Sequence, residues 1–293
     1  MISTSKTNSR MISPESAAEA LHDLNLGGDY AMPVAGATWI MRSTTRHKKW
    51  PDRLVALRHI NDFHKLSIDT NEIRIGSMLT HEQLTKIIPN RSDLHVLKRA
   101  AGLSANPNVR SIATIGGNIS AREFYASDFA PALLCLDASI ELQTLAGVHN
   151  ISIENFLSVK NKFEGPKLIS SLTIRSISNC FTAHERLTMR RAGDYPCAIV
   201  SVSLEMDRSG LIQLARIAVG SIEKVARRWR RLEQSMIGMR PNAKRAEEAA
   251  SDLIGDFSPR DSIDAPGWYR MRVLPVLVRR AFTKIEDEIQ KEI

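Results

Sequence analysis

Apolar and polar residues alternate with two different periods in separate stretches of this 293-residue chain. Residues 72–76 and 139–144 alternate at every second position, a pattern that predicts half-buried strands. Short apolar runs predict further strands at residues 30–34, 54–57 and 168–174. Helix-like segments separate these strands without a strict βαβ order up to about residue 176. The pattern therefore predicts an α+β fold rather than a doubly wound parallel sheet.

Helices are predicted where apolar residues recur every three or four positions behind a capping residue. Ser13 is expected to cap the first helix, with Pro14 at its first position, and the helix is expected to end at Gly27–Gly28. Thr80 is expected to cap the second helix, with Gln83 in the capping-box position. Two more helices are predicted at residues 94–103 and 129–136.

The pattern changes after Ser178. Three strands are predicted at residues 181–189, 198–206 and 212–219, and Asp207-Arg208-Ser209-Gly210 reads as a hairpin turn between the last two. From Asn242 onward the chain reads as helical, at residues 243–254 and then at 268–293 as one long helix or two joined ones. This meander followed by helices predicts a separate second domain.

Two short glycine turns lie about 80 positions apart. Ala35-Gly36-Ala37-Thr38 follows the strand-like run 30–34, and Thr114-Ile115-Gly116-Gly117-Asn118 follows the run 109–113, which also reads as strand-like. Glycine permits a positive φ and a close approach of a ligand to the main chain. Successive backbone N–H groups in such turns form anion-binding concavities, so two turns suggest a ligand with more than one phosphate.

Either turn alone is also compatible with an ordinary loop or hairpin. Neither has the P-loop pattern, and neither has the G-x-G-x-x-G fingerprint of a doubly wound dinucleotide-binding fold. The choice therefore depends on what the rest of the chain adds.

Composition narrows the function classes. The chain has no run of 18 apolar residues, so no membrane span is predicted, and the first residues lack the apolar segment of a secretory signal, so a cytoplasmic protein is expected. The net charge is +8, with basic clusters at 42–49 and 227–231, but aromatic residues make up only 5%. Nucleic-acid binding is not predicted; a solvated face, a partner surface or attraction of an anionic cofactor fits better.

No metal site is predicted. Cys135, Cys180 and Cys197 are too scattered for a disulfide framework, a zinc site or an iron–sulfur cluster, and small buried hydrophobic roles are expected for them. The eight histidines show no metal-ligand spacing and are expected at the surface or in capping positions.

Residues 109–119, Val-Arg-Ser-Ile-Ala-Thr-Ile-Gly-Gly-Asn-Ile, closely resemble the signature of the FAD-binding subunits of molybdenum hydroxylases. That family includes the medium subunits of xanthine dehydrogenase and aerobic carbon monoxide dehydrogenase. The resemblance continues, in the family's order and spacing, through residues 34–38, 74–76, 128–138, 190–195 and 258–260. It therefore spans nearly the whole chain.

The resemblance implies a fold and a division into domains. Residues 1–177 would form an FAD-binding domain of the vanillyl-alcohol-oxidase (PCMH) type, with α+β subdomains at about 1–65 and 66–177. Residues 178–293 would form a smaller C-terminal domain with a three-stranded antiparallel sheet and helices.

It also implies partners and an oxidoreductase role in a hetero-oligomer. In relatives, substrate is oxidised at a molybdenum cofactor in a large subunit. Electrons then pass through two [2Fe–2S] clusters of a small subunit to FAD, which reduces NAD or another acceptor. The absence of cluster-spaced cysteines in this chain fits that division of labour, and no residue is assigned an acid–base catalytic role.

Residue by residue, the resemblance assigns the first turn to one side of the FAD diphosphate and the second turn to the other. Asp128 would accept a hydrogen bond from the hydroxyl-bearing part of the cofactor, Ile169 would lie against the isoalloxazine ring, and Arg186 is near a position where relatives often carry lysine. The implied cofactor-binding residues are Val34, Ala35, Gly36, Ala37, Thr38, Trp39, Thr114, Gly116, Gly117, Asn118, Asp128, Ile169 and Arg186.

The chain departs from the family pattern at two places. In the first turn, Ala37 stands where relatives have a second glycine, and Trp39 stands where they have a small polar residue. The loop 119–127 is one residue longer and carries Arg122-Glu123-Phe124-Tyr125 in place of small residues. Phe124 or Tyr125 would either stack on or screen the flavin, or fill local packing.

Two alternatives stay open beside the electron-transfer subunit. The departures would also fit a degenerate scaffold that keeps the fold and subunit contacts but binds FAD weakly or not at all. A stand-alone flavin oxidase is the third hypothesis, although no histidine or cysteine stands at a convincing position for a covalent flavin link.

Overall fold

The computed structural model describes residues 10–42, 50–189 and 195–292 of the chain. Within these residues the strands are β1 Arg10–Ile12, β2 Ala31–Val34, β3 Arg53–Ala56, β4 Leu66–Ile68, β5 Glu72–Gly76, β6 Ser139–Thr144, β7 Gly147–Ser152, β8 Lys167–Arg175, β9 Cys180–Thr188, β10 Pro196–Met206, β11 Ile212–Gly220 and β12 Arg227–Arg228. The helices there are α1 Ala17–Gly27, α2 His81–Ile87, α3 His95–Leu103, α4 Pro107–Arg110, α5 Ile115–Ser120, α6 Phe129–Cys135, α7 Ile153–Val159, α8 Arg230–Met236, α9 Ala243–Asp252 and α10 Gly267–Glu292. The described residues therefore form a mixed structure of helices and sheets, as predicted.

The first sheet is parallel, with strand order β1-β3-β2. Helix α1 covers one face of this sheet and buries Leu21 and Leu24 against a core that includes Val55. The predicted start of α1 at Ser13 is wrong. Ser16 is the N-cap instead, because its hydroxyl accepts a hydrogen bond from the N–H of Glu19, three residues later in the sequence.

The second sheet is antiparallel, with order β4-β5-β8-β6-β7. Helix α6, at residues 129–135, is buried along its whole length in the core beside this sheet, which explains its uniformly apolar sequence. Strand β7 was not predicted. Its residues are mostly exposed and polar, so the period-two signal of a half-buried strand is missing from it.

The third sheet is also antiparallel, with order β12-β11-β10-β9. Its three long strands confirm the strands predicted at 181–189, 198–206 and 212–219. The implied three-stranded sheet is corrected to four strands, because the two-residue strand β12 pairs with the end of β11 and is too short to show any periodicity. Helix α10 is one continuous helix of 26 residues with Pro275 inside it.

The second and third sheets follow each other closely in sequence, with β8 ending at residue 175 and β9 beginning at residue 180. The domain boundary near residue 178 and the subdomain boundary near residue 65 stay predictions. Within the described residues, no helix has the length and apolar character needed to cross a bilayer.

The three cysteines lie in the interior as predicted, each of them free and buried. Burial raises the pKa of the Cys180 thiol to about 11, and it raises the pKa of Cys135 and Cys197 as well. They therefore behave as small hydrophobic residues rather than as reactive thiols.

Candidate functional site

The first glycine turn follows β2, and its backbone N–H groups are not used within the described part of the protein. Ala37 adopts a left-handed conformation, with a φ of 58°. Within the described part of the chain, the N–H groups of Gly36, Ala37 and Thr38 donate to no protein acceptor. Three successive free N–H groups around a left-handed residue are what an anionic ligand needs.

The segment before the second turn differs from its prediction. Residues 109–113 were expected to be strand-like, but residues 107–110 form the short helix α4, capped by the side chain of Asn106. Thr114 then caps α5, so the second turn is the start of a helix. Pro107 occupies the first helical position, where proline is favoured, and this explains why the segment forms a helix rather than a strand.

The backbone donors of the second turn are already occupied. The N–H of Gly116 donates to the carbonyl oxygen of Ser77 at 2.9 Å, and the N–H of Gly117 donates to the Thr114 hydroxyl at 3.1 Å. The N–H of Asn118 donates to the carbonyl oxygen of Thr114 at 2.9 Å. Free N–H groups were expected in both turns, but only the first turn has them.

The two turns nevertheless meet. A Cβ atom built on Gly36 would lie 1.8 Å from the carbonyl oxygen of Ile112, and one built on Gly117 would lie 3.7 Å from the Cβ of Ala35. Gly36 therefore allows the first turn to touch the backbone leading into the second. The two turns therefore adjoin, although they lie about 80 residues apart in sequence, and we refer to the space beside this contact as the cleft.

Asn118 supplies a side-chain donor beside this cleft. Its Oδ1 accepts a hydrogen bond from the hydroxyl of Ser127, which leaves the amide nitrogen without a partner in the described part of the chain. The residue is only half-buried, so this nitrogen is accessible to a ligand.

Ile169 lies close to the second turn through one strand contact. The carbonyl oxygen of its neighbour Ser170 accepts a hydrogen bond from the N–H of Ser77, the residue that also holds Gly116. The Ile169 side chain is nearly buried in the core beside the second sheet. The structure thus brings Ile169 near the second turn and gives it an apolar setting.

Asp128 and Arg186 also come together, in an ion pair whose carboxylate is buried. The Arg186 Nε lies 3.0 Å from Asp128 Oδ1, and a second Arg186 nitrogen donates to the carbonyl oxygen of Leu103. The Nε2 atom of His184 lies 3.2 Å from the same carboxylate oxygen. The expectation of surface or capping histidines is wrong for His184, which is fully buried.

Trp39 and the longer loop meet in an aromatic cluster. The indole N–H of Trp39 donates to the carbonyl oxygen of Arg122 at 3.0 Å, and its ring centroid lies 4.8 Å from that of Phe124. Phe124 in turn lies 5.6 Å from the ring of Tyr195, which Arg42 also contacts. Trp39 therefore ties the first turn to the loop 119–127, and Tyr125 lies apart, under the guanidinium of Arg260.

His81 lies beneath the second turn and is a second buried histidine that the sequence did not reveal. Its backbone N–H donates to the carbonyl oxygen of Ala113, its Nδ1 lies 2.6 Å from the Ser104 hydroxyl, and its ring packs edge-on against Phe129. Burial lowers the pKa of His81 to about 4, against the opposing effect of the Asp128 carboxylate.

This low pKa predicts a loss of stability in mild acid. Between pH 6.5 and about 4 the unfolded chain binds a proton on His81 while the folded chain does not, so the free energy of unfolding should fall as the pH falls. The loss should reach about 3 kcal/mol at pH 4 and be absent above pH 7. Denaturant titrations across this range should show a flatter pH dependence for His81→Gln.

The matched control for that experiment is His149→Gln, because His149 is exposed on β7. This variant should keep the pH dependence of the wild type. An unchanged pH slope in His81→Gln would show that other groups cause the acid sensitivity.

The arrangement fits a diphosphate-containing cofactor such as FAD. The site offers three free backbone N–H groups and the Asn118 amide, and the carboxylate of Asp128 is paired with Arg186. Ile169 lies in the apolar core beside the second turn. The motif at residues 190–194 lies outside the described residues.

Comparison with known proteins identifies both parts of the chain. Residues 6–174 match the family described as the FAD binding domain in molybdopterin dehydrogenase. Residues 184–285 match the CO dehydrogenase flavoprotein C-terminal domain.

Individual relatives are similar over nearly their whole length. The glyceraldehyde dehydrogenase medium chain of Sulfolobus acidocaldarius is 25% identical over 92% of this chain and 96% of its own. The carbon monoxide dehydrogenase medium chain of Afipia carboxidovorans is 25% identical over 92% of this chain and 93% of its own.

Solved structures share the fold. A carbon monoxide dehydrogenase from Hydrogenophaga pseudoflava matches with a TM-score of 0.86 at 22% identity, covering 96% of this chain and 98% of that one. Quinoline 2-oxidoreductase from Pseudomonas putida 86 matches with a TM-score of 0.86 at 20% identity, covering 96% and 97%. Together with the family matches, these likenesses show that this chain belongs to the family of FAD-binding medium subunits of molybdenum-hydroxylase-type dehydrogenases, which are oxidoreductases with FAD as cofactor.

Proposed function

We propose that this chain holds FAD between its two glycine turns and relays electrons through it. Electrons would arrive from the [2Fe–2S] clusters of a small partner subunit and leave to NAD or another acceptor, while a large subunit carries the molybdenum cofactor. Bound FAD supplies the redox chemistry, and the protein supplies position and electrostatics. We place the complex in the cytoplasm.

The contact between the two turns is the observation that carries this proposal. Gly36 touches the backbone of Ile112, so the free N–H groups of residues 36–38 lie close to the second turn. In our proposal these groups hold the diphosphate, with the hydroxyls of Thr38 and Thr114 beside them. Backbone donors fixed by the fold bind an anion without further ordering of long side chains.

The other assigned residues have separate tasks in this proposal. Ile169 supports the isoalloxazine ring with an apolar surface, and Asp128 accepts a hydrogen bond from the hydroxyl-bearing chain of the cofactor. Arg186 fixes the position of Asp128 by pairing with it at 3.0 Å. Val34, Ala35 and Trp39 shape the first turn, and Trp39 also closes it against the loop 119–127.

The names of relatives support a hetero-oligomer. One relative from Paenarthrobacter nicotinovorans is named subunit alpha of the 6-hydroxypseudooxynicotine dehydrogenase complex, and it is 26% identical over 92% of both chains. We therefore expect this chain to work beside other subunits rather than as a stand-alone oxidase.

Flavin loading tests the proposal directly. The purified chain should show the visible absorption bands of an oxidised flavin, and after incubation with FAD it should carry about one FAD per chain. Acid release followed by mass analysis identifies the nucleotide. Absence of flavin bands even after reconstitution would overturn the proposal and favour the scaffold that binds no flavin.

Ala37→Gly should increase the affinity for FAD by about three- to tenfold. The substitution removes a Cβ from the left-handed residue in the middle of the free N–H groups, where the diphosphate must approach. Relief of left-handed strain, about 1 kcal/mol, roughly offsets the greater freedom of glycine in the unfolded chain. Fluorescence titration of the apoprotein with FAD measures the effect.

Ala105→Gly is the matched control, since Ala105 is also left-handed, with a φ of 53°, but lies between α3 and α4. It should change the free energy of unfolding by the same small amount and leave FAD affinity unchanged. Unchanged FAD affinity in Ala37→Gly would show that the turn does not face the cofactor.

A further inference from the structure

A line of buried hydrogen bonds joins Ser201, His184 and Asp128. The hydroxyl of Ser201 lies 2.9 Å from Nδ1 of His184, and Nε2 of the same ring lies 3.2 Å from Asp128 Oδ1. Ser201 and His184 are fully buried, and Asp128 is 3% exposed. The order serine, histidine, aspartate is that of a hydrolase triad. Ser201 is 17 positions from His184 in sequence, and Asp128 is 56 positions from it.

Nucleophilic catalysis is excluded for this line by its position. Ser201 is 0% exposed and lies on β10, which is flanked by β9 on one side and β11 on the other. A serine nucleophile must reach a substrate carbonyl and have an oxyanion site beside it. The line therefore acts inside the protein, and it reaches toward the second turn through Asp128, whose neighbour Ser127 donates a hydrogen bond to Asn118.

The directions of the hydrogen bonds follow from the charges. Arg186 already balances the charge of Asp128, so a neutral imidazole adds no uncompensated charge to the interior. An ionised carboxylate only accepts hydrogen bonds, so Nε2 of His184 carries the proton and donates it to Asp128. Nδ1 is then an acceptor, and the Ser201 hydroxyl donates to it, which fixes the tautomer.

Asp128 does not cap the helix at whose N-terminus it lies. It stands at the N-cap of α6, where an aspartate usually accepts from the backbone of the helix, but it makes no such bond. The Ser127 hydroxyl does this instead, by accepting from the N–H of Ala130 at 3.0 Å. The Asp128 carboxylate is thereby available to β9, the strand that carries His184 and Arg186.

We propose that His184 is a positioning residue for the cofactor: it holds the Asp128 carboxylate in place, and Ser201 sets the tautomer that lets it do so. The C-terminal sheet thus orients a group contributed by the FAD-binding part of the chain. The inference rests on the proposed function, in which Asp128 contacts the hydroxyl-bearing chain of FAD.

A double-mutant cycle on the full chain tests this role. Ser201→Ala should weaken FAD binding by about five- to tenfold, because His184 is then free to turn its bare nitrogen toward Asp128. In the Asp128→Asn background the same substitution should have no further effect on FAD affinity. Ser201→Ala should also shift the midpoint potential of the bound flavin, which a merely structural serine would leave unchanged.

His184→Gln gives a second background. Its amide keeps an N–H donor for Asp128 but has no ring nitrogen for Ser201 to control, so Ser201→Ala should again add nothing to the loss of FAD affinity. This variant keeps the test decisive if Asp128→Asn folds poorly.

Ser203→Ala is the matched control. Ser203 is equally buried on the same strand, two residues further on, but its hydroxyl contacts Cys180 Sγ at 3.3 Å rather than the histidine. It should lower the melting temperature about as much as Ser201→Ala and leave FAD affinity and midpoint potential unchanged.

The outcomes separate this inference from the proposed function. If the wild type binds FAD but the effects of Ser201→Ala and Asp128→Asn on affinity are additive, or Ser203→Ala has the same effect, the positioning role is overturned alone. If the wild type binds no FAD, the proposed function is overturned, and this inference with it.

Discussion

Gly36→Ala is expected to abolish FAD binding and to lower the free energy of unfolding by about 3 kcal/mol. The added methyl group would lie 1.8 Å from the carbonyl oxygen of Ile112 and 2.6 Å from its carbonyl carbon. Both are backbone atoms, which cannot move aside as a flexible side chain can. The first turn must therefore separate from the second, and the cleft between them is lost together with the packing that holds it.

Chemical unfolding of the apoprotein and FAD titration by fluorescence together check this expectation. Gly255→Ala is the control, because a Cβ at Gly255 would meet nothing within 4 Å and the backbone there needs no positive φ. It should change neither stability by more than about 0.5 kcal/mol nor FAD affinity. Wild-type FAD affinity in Gly36→Ala would show that turn contact is not required for the site.

The pairing of the two turns could be predicted from sequence, but the reason for each glycine could not. Gly36 is required by its contact with Ile112, some 76 positions away, and Gly116 by its contact with the backbone of Ser77. Local sequence shows that a glycine permits a close approach, and it does not show what approaches. Only the three-dimensional structure separates a glycine that packs against protein from one that faces a ligand.

The backbone N–H groups of the site also divide into those that bond within the protein and those that are free for a ligand. A glycine pair followed by asparagine suggests a loop of free N–H groups. The N–H groups of Gly116 and Gly117 nevertheless donate hydrogen bonds to Ser77 and Thr114. The strand predicted at residues 109–113 is wrong, because apolar residues at 109, 112 and 113 are compatible with a strand and with a short helix. Asn106 and Pro107 were the local signals for the helix.

The surroundings of Asp128 were the least predictable part of the site. The resemblance placed Asp128 and Arg186 at the cofactor separately, and the structure joins them in one ion pair. His184 had no signal of its own, because a buried histidine in a strand differs from an exposed one only through partners that are distant in sequence. The fold class and long strands, by contrast, depend on local periodicity and were predicted.

Phe124 shows how a departure from the family pattern can have a structural role. Its ring packs against Trp39, one of the two departures in the first turn, so the turn and the longer loop form one contact. The indole N–H bond to Arg122 adds to the same contact. Trp39 and the aromatic residue in the loop therefore act as a pair, and each explains the presence of the other.

Gly117→Val is expected to weaken FAD binding at least 100-fold, which corresponds to about 3 kcal/mol, while the chain stays folded. The first carbon of the new side chain would lie 3.7 Å from Ala35 Cβ and 2.9 Å from the Thr114 hydroxyl oxygen. Its methyl groups would fill the cleft between the two turns, and the hydroxyl, unlike the backbone at Gly36, can rotate away.

Two controls make this result specific. Gly102→Val also places a branched residue in a helix, with ordinary contacts of 3.6 Å to Thr85, and should reduce stability similarly without loss of FAD. Arg122→Gln removes an exposed charge near the site and should cost less than about threefold in affinity if backbone and amide groups hold the diphosphate. Equal losses from Gly117→Val and Arg122→Gln would show instead that charge attraction, rather than the shape of the cleft, governs binding.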